Sequence, residues 1–307
     1  MWLLLQWLDP PLPVDIPAPA RMVGCACASL GRTNSEDAEE SAIRFDFDLR
    51  DTKSLSSVQR ASFRSDFHRE MTTIRAWLAQ QGPWSSLPSF ELSVRISDAF
   101  KISRALVPAW EGHRGAMEFP AWRVAAGKAA ILHELVHLYL PNGNRFLAEG
   151  LATYLQACLG GNSAFPNFGR PLHDVARDCL IEIAGESATA LDSVQLVELD
   201  ATPTPNPMTL TSARRRYAKE GAFQSACYAI AGSFVEFLIE IEGLERFQRL
   251  YERSPLVPGR LAAGPPERWS EIYGCPLAML EAAWKSRLIG TQGDERARES
   301  APICGLS

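Results

Sequence analysis

The hydrophobic positions change period along the chain, and the change predicts its elements. Apolar residues alternate from Ile43 to Leu49, the spacing of a half-buried strand. From Ser57 to Gln81 the period lengthens. Phe63, Phe67, Met71, Ile74 and Leu78 recur three or four apart, which predicts a helix stopped at Gly82-Pro83. Phe90 to Ile96 alternates and predicts a strand. Arg114 to Arg123 predicts another, in which Pro120 suits a sheet edge better than a sheet centre. A helix from about Ala125 to Leu140 is closed by Pro141 and the Asn142-Gly143-Asn144 turn. A further helix runs from Arg145 to Leu159 and ends at Gly160-Gly161.

Residues 161–212 show no sustained period, and the segment from Asp200 to Pro207 carries three prolines in eight residues, the composition of a loop or linker. Helical spacing returns with Phe234, Phe237, Leu238 and Ile241, closed by Gly243. Phe247 and Leu250 continue the packing, and Trp269 to Leu288 holds the last periodic segment. Strand-rich first and helical later is the order of an α+β protein in two subdomains. The expected division is a tail over 1–52, an α/β part over 53–160, an irregular connection over 161–212, a helical part over 213–290 and a tail over 291–307.

Composition narrows the function classes. Of 307 residues, 46% are hydrophobic and 22% charged, ordinary for a soluble globular protein. A net charge of −5 without a basic stripe argues against nucleic acid as partner, and Arg214-Arg215-Arg216 reads as a solvated run. No later apolar run reaches membrane length, so no integral membrane segment is expected. Met1 to Leu8 is apolar but lacks a basic start and is broken by Pro10, Pro11 and Pro13. Met22-Val23-Gly24-Cys25 loosely resembles a lipoprotein cleavage box, interrupted upstream by Asp15 and Arg21. The compartment stays open between cytoplasm and export. The seven cysteines include no CxxC, against a cysteine-based structural zinc site. Cys158 with Cys179 and Cys227 with Cys275 are candidate pairs, and buried free thiols are the simpler expectation.

The chemistry lies in His133-Glu134-Leu135-Val136-His137. Histidines four apart on a helix stand on one face, one turn apart, and can share one Zn²⁺. Glu134 is then placed to take a proton from a water whose pKa the metal lowers to about 7. A catalytic zinc needs a third protein ligand and an open position. Between Leu138 and Leu172 the one acidic residue is Glu149, twelve residues past His137 and across the turn on the next helix. His173 and Asp174 are the fallback ligands. His68 and His113 have no partner at ligand spacing. Leu140 and Gly143 exclude the metzincin pattern, which needs Gly and His there.

HExxH followed by Phe146-Leu147-Ala148-Glu149-Gly150-Leu151-Ala152-Thr153-Tyr154 resembles the gluzincins of the peptidase MA-like group, the thermolysin and aminopeptidase N type, whose Glu helix resembles WLNEGFAxY. Ala148 stands where that family often has Asn, and the gap before Glu149 is shorter than in either type. The resemblance implies a thermolysin-like zincin domain with a small sheet beside the HExxH helix, followed by a mainly helical subdomain. It also implies one Zn²⁺ per chain and a peptide or protein substrate. The segment beginning at Tyr228 resembles the aminopeptidase helix whose Tyr donates to the oxyanion of the tetrahedral intermediate. Gly115-Ala116-Met117-Glu118-Phe119 resembles the aminopeptidase GAMEN strand, which would make Glu118 an anchor for a substrate amine and the 114–123 strand a template for an extended peptide. A degenerate peptidase serving as a binding module, and a zinc hydrolase of non-peptide substrates, are the alternatives.

Overall fold

The computed structural model describes residues 45–48, 54–85, 91–107, 114–161, 167–184, 195–201, 220–257 and 264–290. The N-terminal segment through residue 44, with its leader and lipoprotein expectations, lies outside them, as do Arg214 to Arg216 and most of the proline-rich stretch. The chain is α+β. Strands β1 (Phe45–Asp48), β2 (Glu91–Ser97), β3 (Arg104–Leu106) and β4 (Arg114–Pro120) form one sheet in the order β1-β2-β4-β3. The helices are α1 (Ser57–Leu78), α2 (Ala121–Ala125), α3 (Ile131–Tyr139), α4 (Arg145–Leu159), α5 (Leu172–Ala184), α6 (Leu196–Ala201), α7 (Glu220–Tyr251), α8 (Arg268–Tyr273) and α9 (Leu277–Gly290). Two compact units result. One comprises the chain through Pro141 with Leu155–Gly169, the other Asn142–Tyr154 with the chain from Arg170 onward.

In the first unit, α1 starts on a capping box. The Ser56 hydroxyl accepts the Gln59 amide at 3.2 Å, and Gln59 Oε1 accepts the Ser56 amide at 2.9 Å. The apolar face of α1 then covers one face of the sheet, where Phe47, Val94 and Met117 stand in register across β1, β2 and β4. Phe67 meets Phe47 and Phe63 meets Phe119 edge-on, each with ring centroids 5.4 Å apart. β1 to β2 and β2 to β4 are parallel, and β3 pairs antiparallel with β4. Helix α3 packs against α1 and against β3.

The strand expected over 114–123 is corrected in two respects. It stops at Pro120, which caps α2, so Ala121 to Arg123 are helical. It also lies inside the sheet, with β2 on one side and β3 on the other. Pro120 is tolerated because it is the terminal residue, beyond the three positions where β3 pairs. The helix expected from Ala125 to Leu140 is shorter: α2 ends at Ala125, and a turn containing Gly127 at φ 65° precedes α3.

In the second unit, α5 and α6 occupy part of the stretch read as irregular, and Asp200 falls inside α6. Helix α7 kinks at Gly243 (φ 79°, ψ 162°), where the sequence placed its stop. The last periodic segment is two helices, α8 and α9, separated by Gly274 in the left-handed conformation. Neither candidate cysteine pair forms: Cys179 and Cys227 are free thiols, in line with the simpler expectation, whereas Cys158 and Cys275 each take part in a disulfide, against it. Among the described residues no helix is long and apolar enough to cross a membrane.

Candidate metal centre

Helix α3 is short, nine residues, and buried on every side. His133 and His137 project from one face of it with their rings nearly perpendicular, centroids 4.9 Å apart. Their Nε2 atoms approach to 3.2 Å. Two donors of a tetrahedral zinc, each at about 2.0–2.1 Å, stand roughly 3.3 Å apart. Either a shared proton or a shared cation can bridge that gap.

Helix α4 supplies the carboxylate. His133, His137 and Glu149 each offer a ligand atom, and these atoms all lie within 4.8 Å of one another. All three residues are buried, at 5%, 8% and 2% exposure. Two neutral imidazoles and a carboxylate are the donor set of His₂Glu zinc sites, so the residues present fit the ion. Glu134, also buried, directly follows the first histidine, and its backbone amide donates to Ala130 at 3.2 Å. The fallback ligands are not part of this group. The His173 ring instead meets Ser233 Oγ at 2.7 Å, Glu236 at 3.4 Å and Glu240 at 3.3 Å, and Asp174 pairs with Arg177 at 3.0 Å.

What aims α4 lies at its start. The Asn144 side chain caps the helix, its Oδ1 accepting the Leu147 amide at 3.0 Å. Asn144 Nδ2 donates in turn to Asp200 Oδ1 at 2.8 Å. Asp200 is held by the fully buried Arg268 and by Trp269 Nε1 at 3.0 Å. The turn before Asn144 is pinned as well: Asn142 Nδ2 donates to the Tyr251 carbonyl at 2.6 Å and the Gly143 amide to the Ser254 carbonyl at 2.7 Å. Arg145, the first residue of α4, pairs with Glu149 one turn on. Burial first, and the Glu149 carboxylate second, push the Tyr251 phenol well above its ordinary range. Tyr251 is thus an electrostatic neighbour of Glu149, and no sequence pattern marks it.

Glu118 has a different setting. Arg95 and Arg104 are its register partners on β2 and β3, and both engage its carboxylate, Arg95 Nη1 at 3.4 Å and Arg104 through Nε. The row Arg95–Glu118–Arg104 runs straight across three strands, the role of an ordinary cross-strand ion pair. Tyr228 is half-buried on α7, one turn ahead of Ala231, in the stretch of that helix that packs on α4.

Compared with known proteins, the chain matches no family model, no curated protein and no solved structure.

Proposed function

We propose that the protein is a zinc-dependent hydrolase of peptide bonds, of the gluzincin type, with a thermolysin-like arrangement around α3 and α4. The observation that carries the reading is the convergence of His133, His137 and Glu149, within 4.8 Å in ligand atoms, beside Glu134. Bound there, Zn²⁺ would supply Lewis acidity toward a water and toward the scissile carbonyl. Glu134 takes a proton from the attacking water and delivers it to the leaving amine nitrogen. Tyr228 donates a hydrogen bond to the developing oxyanion, a role open to a phenol that stays protonated near neutral pH.

An extended peptide cannot add to β4, whose two edges are filled. We assign it instead to β3, an edge strand among the described residues that packs on the zinc helix. Glu118, committed to Arg95 and Arg104, has no part in holding a substrate amine in this reading.

The test is metal analysis of protein purified without added zinc, together with digestion of a broad peptide library by wild type and Glu134→Gln. Wild type is expected to carry one zinc and to cleave. The variant should keep the zinc and lose about 10²–10⁴-fold in rate, the share of a general base. Full activity in the variant would remove Glu134 from the mechanism. A zinc-loaded wild type that cleaves nothing would turn the reading to a binding module or to non-peptide substrates.

A further inference from the structure

We infer that Gln156 is a positioning residue for the metal centre. Its side-chain carbonyl locks the first turn of α3 to the helix that carries Glu149, and so sets the two imidazoles against the carboxylate. The inference rests on the zinc reading above and asks what holds its geometry.

The need arises at the start of α3. The residue at its N-cap is Ala130, which has no side-chain acceptor to offer the first-turn amides. The amide of His133, third in the helix, belongs to a residue only 5% exposed. A buried amide must find a partner within the protein. It finds Gln156 Oε1, at 3.1 Å, on a side chain that is itself 2% exposed. The cap of the zinc helix is therefore borrowed from α4.

Gln156 and Glu149 are seven residues apart on α4, two turns along the same face and about 10 Å along its axis. The helix consequently addresses α3 at two points: Glu149 at the ligand atoms and Gln156 at the backbone of the first ligand. Gln156 thereby ties the C-terminal turn of α4 to the first turn of α3. The Asn144 cap holds the start of α4, and Gln156 holds its far end to the backbone of the first ligand.

A second observation shows that room is kept for this side chain. A Cβ on Gly160 would lie 2.0 Å from Gln156 Nε2 and 2.4 Å from the Gln156 carbonyl oxygen. Glycine at 160 admits the amide where it stands, while the Gly161 amide donates to Glu70 Oε1 on α1 at 2.7 Å. The Gly160-Gly161 pair, legible in sequence as a helix stop, thus also serves the contact that orients the first zinc ligand.

The experiment compares zinc dissociation constants of the full chain, by chelator competition, in wild type, Gln156→Leu, Gln156→Glu and Gly160→Ala. Leucine keeps approximate volume and removes the acceptor. Glutamate keeps an acceptor oxygen. Alanine at 160 leaves the glutamine but displaces its amide. Gln156→Leu and Gly160→Ala are expected to weaken zinc binding by about 10–100-fold, the usual effect of losing a group that orients a ligand. Gln156→Glu should restore affinity to within a few-fold. A destabilised control, Leu280→Ala in the core of the second unit, should lower the urea midpoint without moving the zinc constant of the folded protein.

Wild-type affinity in both Gln156→Leu and Gly160→Ala would overturn the inference. Equal weakening in Gln156→Glu and Gln156→Leu would overturn it too. If Gln156→Leu does not fold, Gly160→Ala with Gln156→Glu decides alone. Absence of zinc from wild type would instead remove the underlying reading, so the two failures are told apart.

Discussion

Glu149 is surrounded by charge and hydroxyl groups that the HExxH spacing does not disclose. Arg145, one turn earlier on α4, pairs with it, and Tyr251 lies close enough to be pushed up by its carboxylate. Under the proposed hydrolase reading, two tyrosines are candidates for the oxyanion donor, and their surroundings separate them. Tyr251 is 4% exposed and its proton is held tightly by burial, whereas Tyr228 is half-buried and has partial access to solvent. Tyr228→Phe should lower kcat by about 10²–10³-fold, the loss of one oxyanion donor, with little change in KM. Tyr251→Phe should leave kcat within a few-fold. Steady-state kinetics on a peptide cleaved by wild type checks both, and the reverse pattern would move the role to Tyr251. The ligand candidates themselves were legible because their warrant is local: histidines four apart on a helix share a face whatever the rest of the chain does. Tyr251 was not legible, because its place beside Glu149 depends on the Asn142–Asn144 turn docking on the end of α7.

At the scale of elements, the glycine after Glu149 has a plain cause. A Cβ on Gly150 would lie 2.7 Å from Val235 Cγ2 and 2.8 Å from the Ala231 carbonyl oxygen. One turn on, a Cβ on Gly232 would lie 2.5 Å from Thr153 Cγ2. Helices α4 and α7 thus approach through a glycine on each side, and neither backbone can yield to an added methyl without separating the pair. Gly150→Ala should destabilise the protein by about 1–3 kcal/mol, the range for overpacking a filled contact, read as a lower urea midpoint at unchanged slope. The period of α4 was readable in advance, and so was that of α7 up to Gly243. The place of β4 in its sheet was not, since strand order is set by which strands meet and leaves no mark on one strand's pattern. Helix α5 shows the opposite case. Leu172, Val175, Ala176, Cys179 and Leu180 do recur three or four apart, but the acidic and basic residues between them mask the period.

For the molecule as a whole, Glu70 couples stability to pH. It is buried on α1, its Oε1 accepting the Gly161 amide, while Oε2 has no partner among the described residues. Burial is the largest influence and raises its pKa above the ordinary carboxylate value, despite the Gly161 and Arg69 hydrogen bonds that act the other way. A carboxyl whose folded pKa is raised binds its proton more tightly in the folded state. Its contribution is therefore fully present below the unfolded pKa and is lost as pH rises through the folded one. Glu70→Gln should accordingly raise the urea midpoint relative to wild type at neutral pH, with the difference closing as the solution is acidified toward the unfolded carboxylate range. A difference that persists in acid would point to packing instead of ionisation. The cysteines carry a lesson at the same scale. The sequence left two candidate pairs open beside free thiols, and only the folded chain decides: Cys179 and Cys227 stay free, so neither candidate pair forms.

The brevity of β3 reaches beyond the protein itself. Its three residues are paired on one side to Glu118, Met117 and Ala116, so a guest strand has only the other side, and only about that length, to bond along. A polypeptide locked in its own native structure has no such segment to lend. Under the proposed peptidase reading, turnover of a folded client would then follow how often that client frays open. Two clients with the same cleavage sequence would be consumed at rates set by their own local stability, and the enzyme would act as a selector of loosened chains.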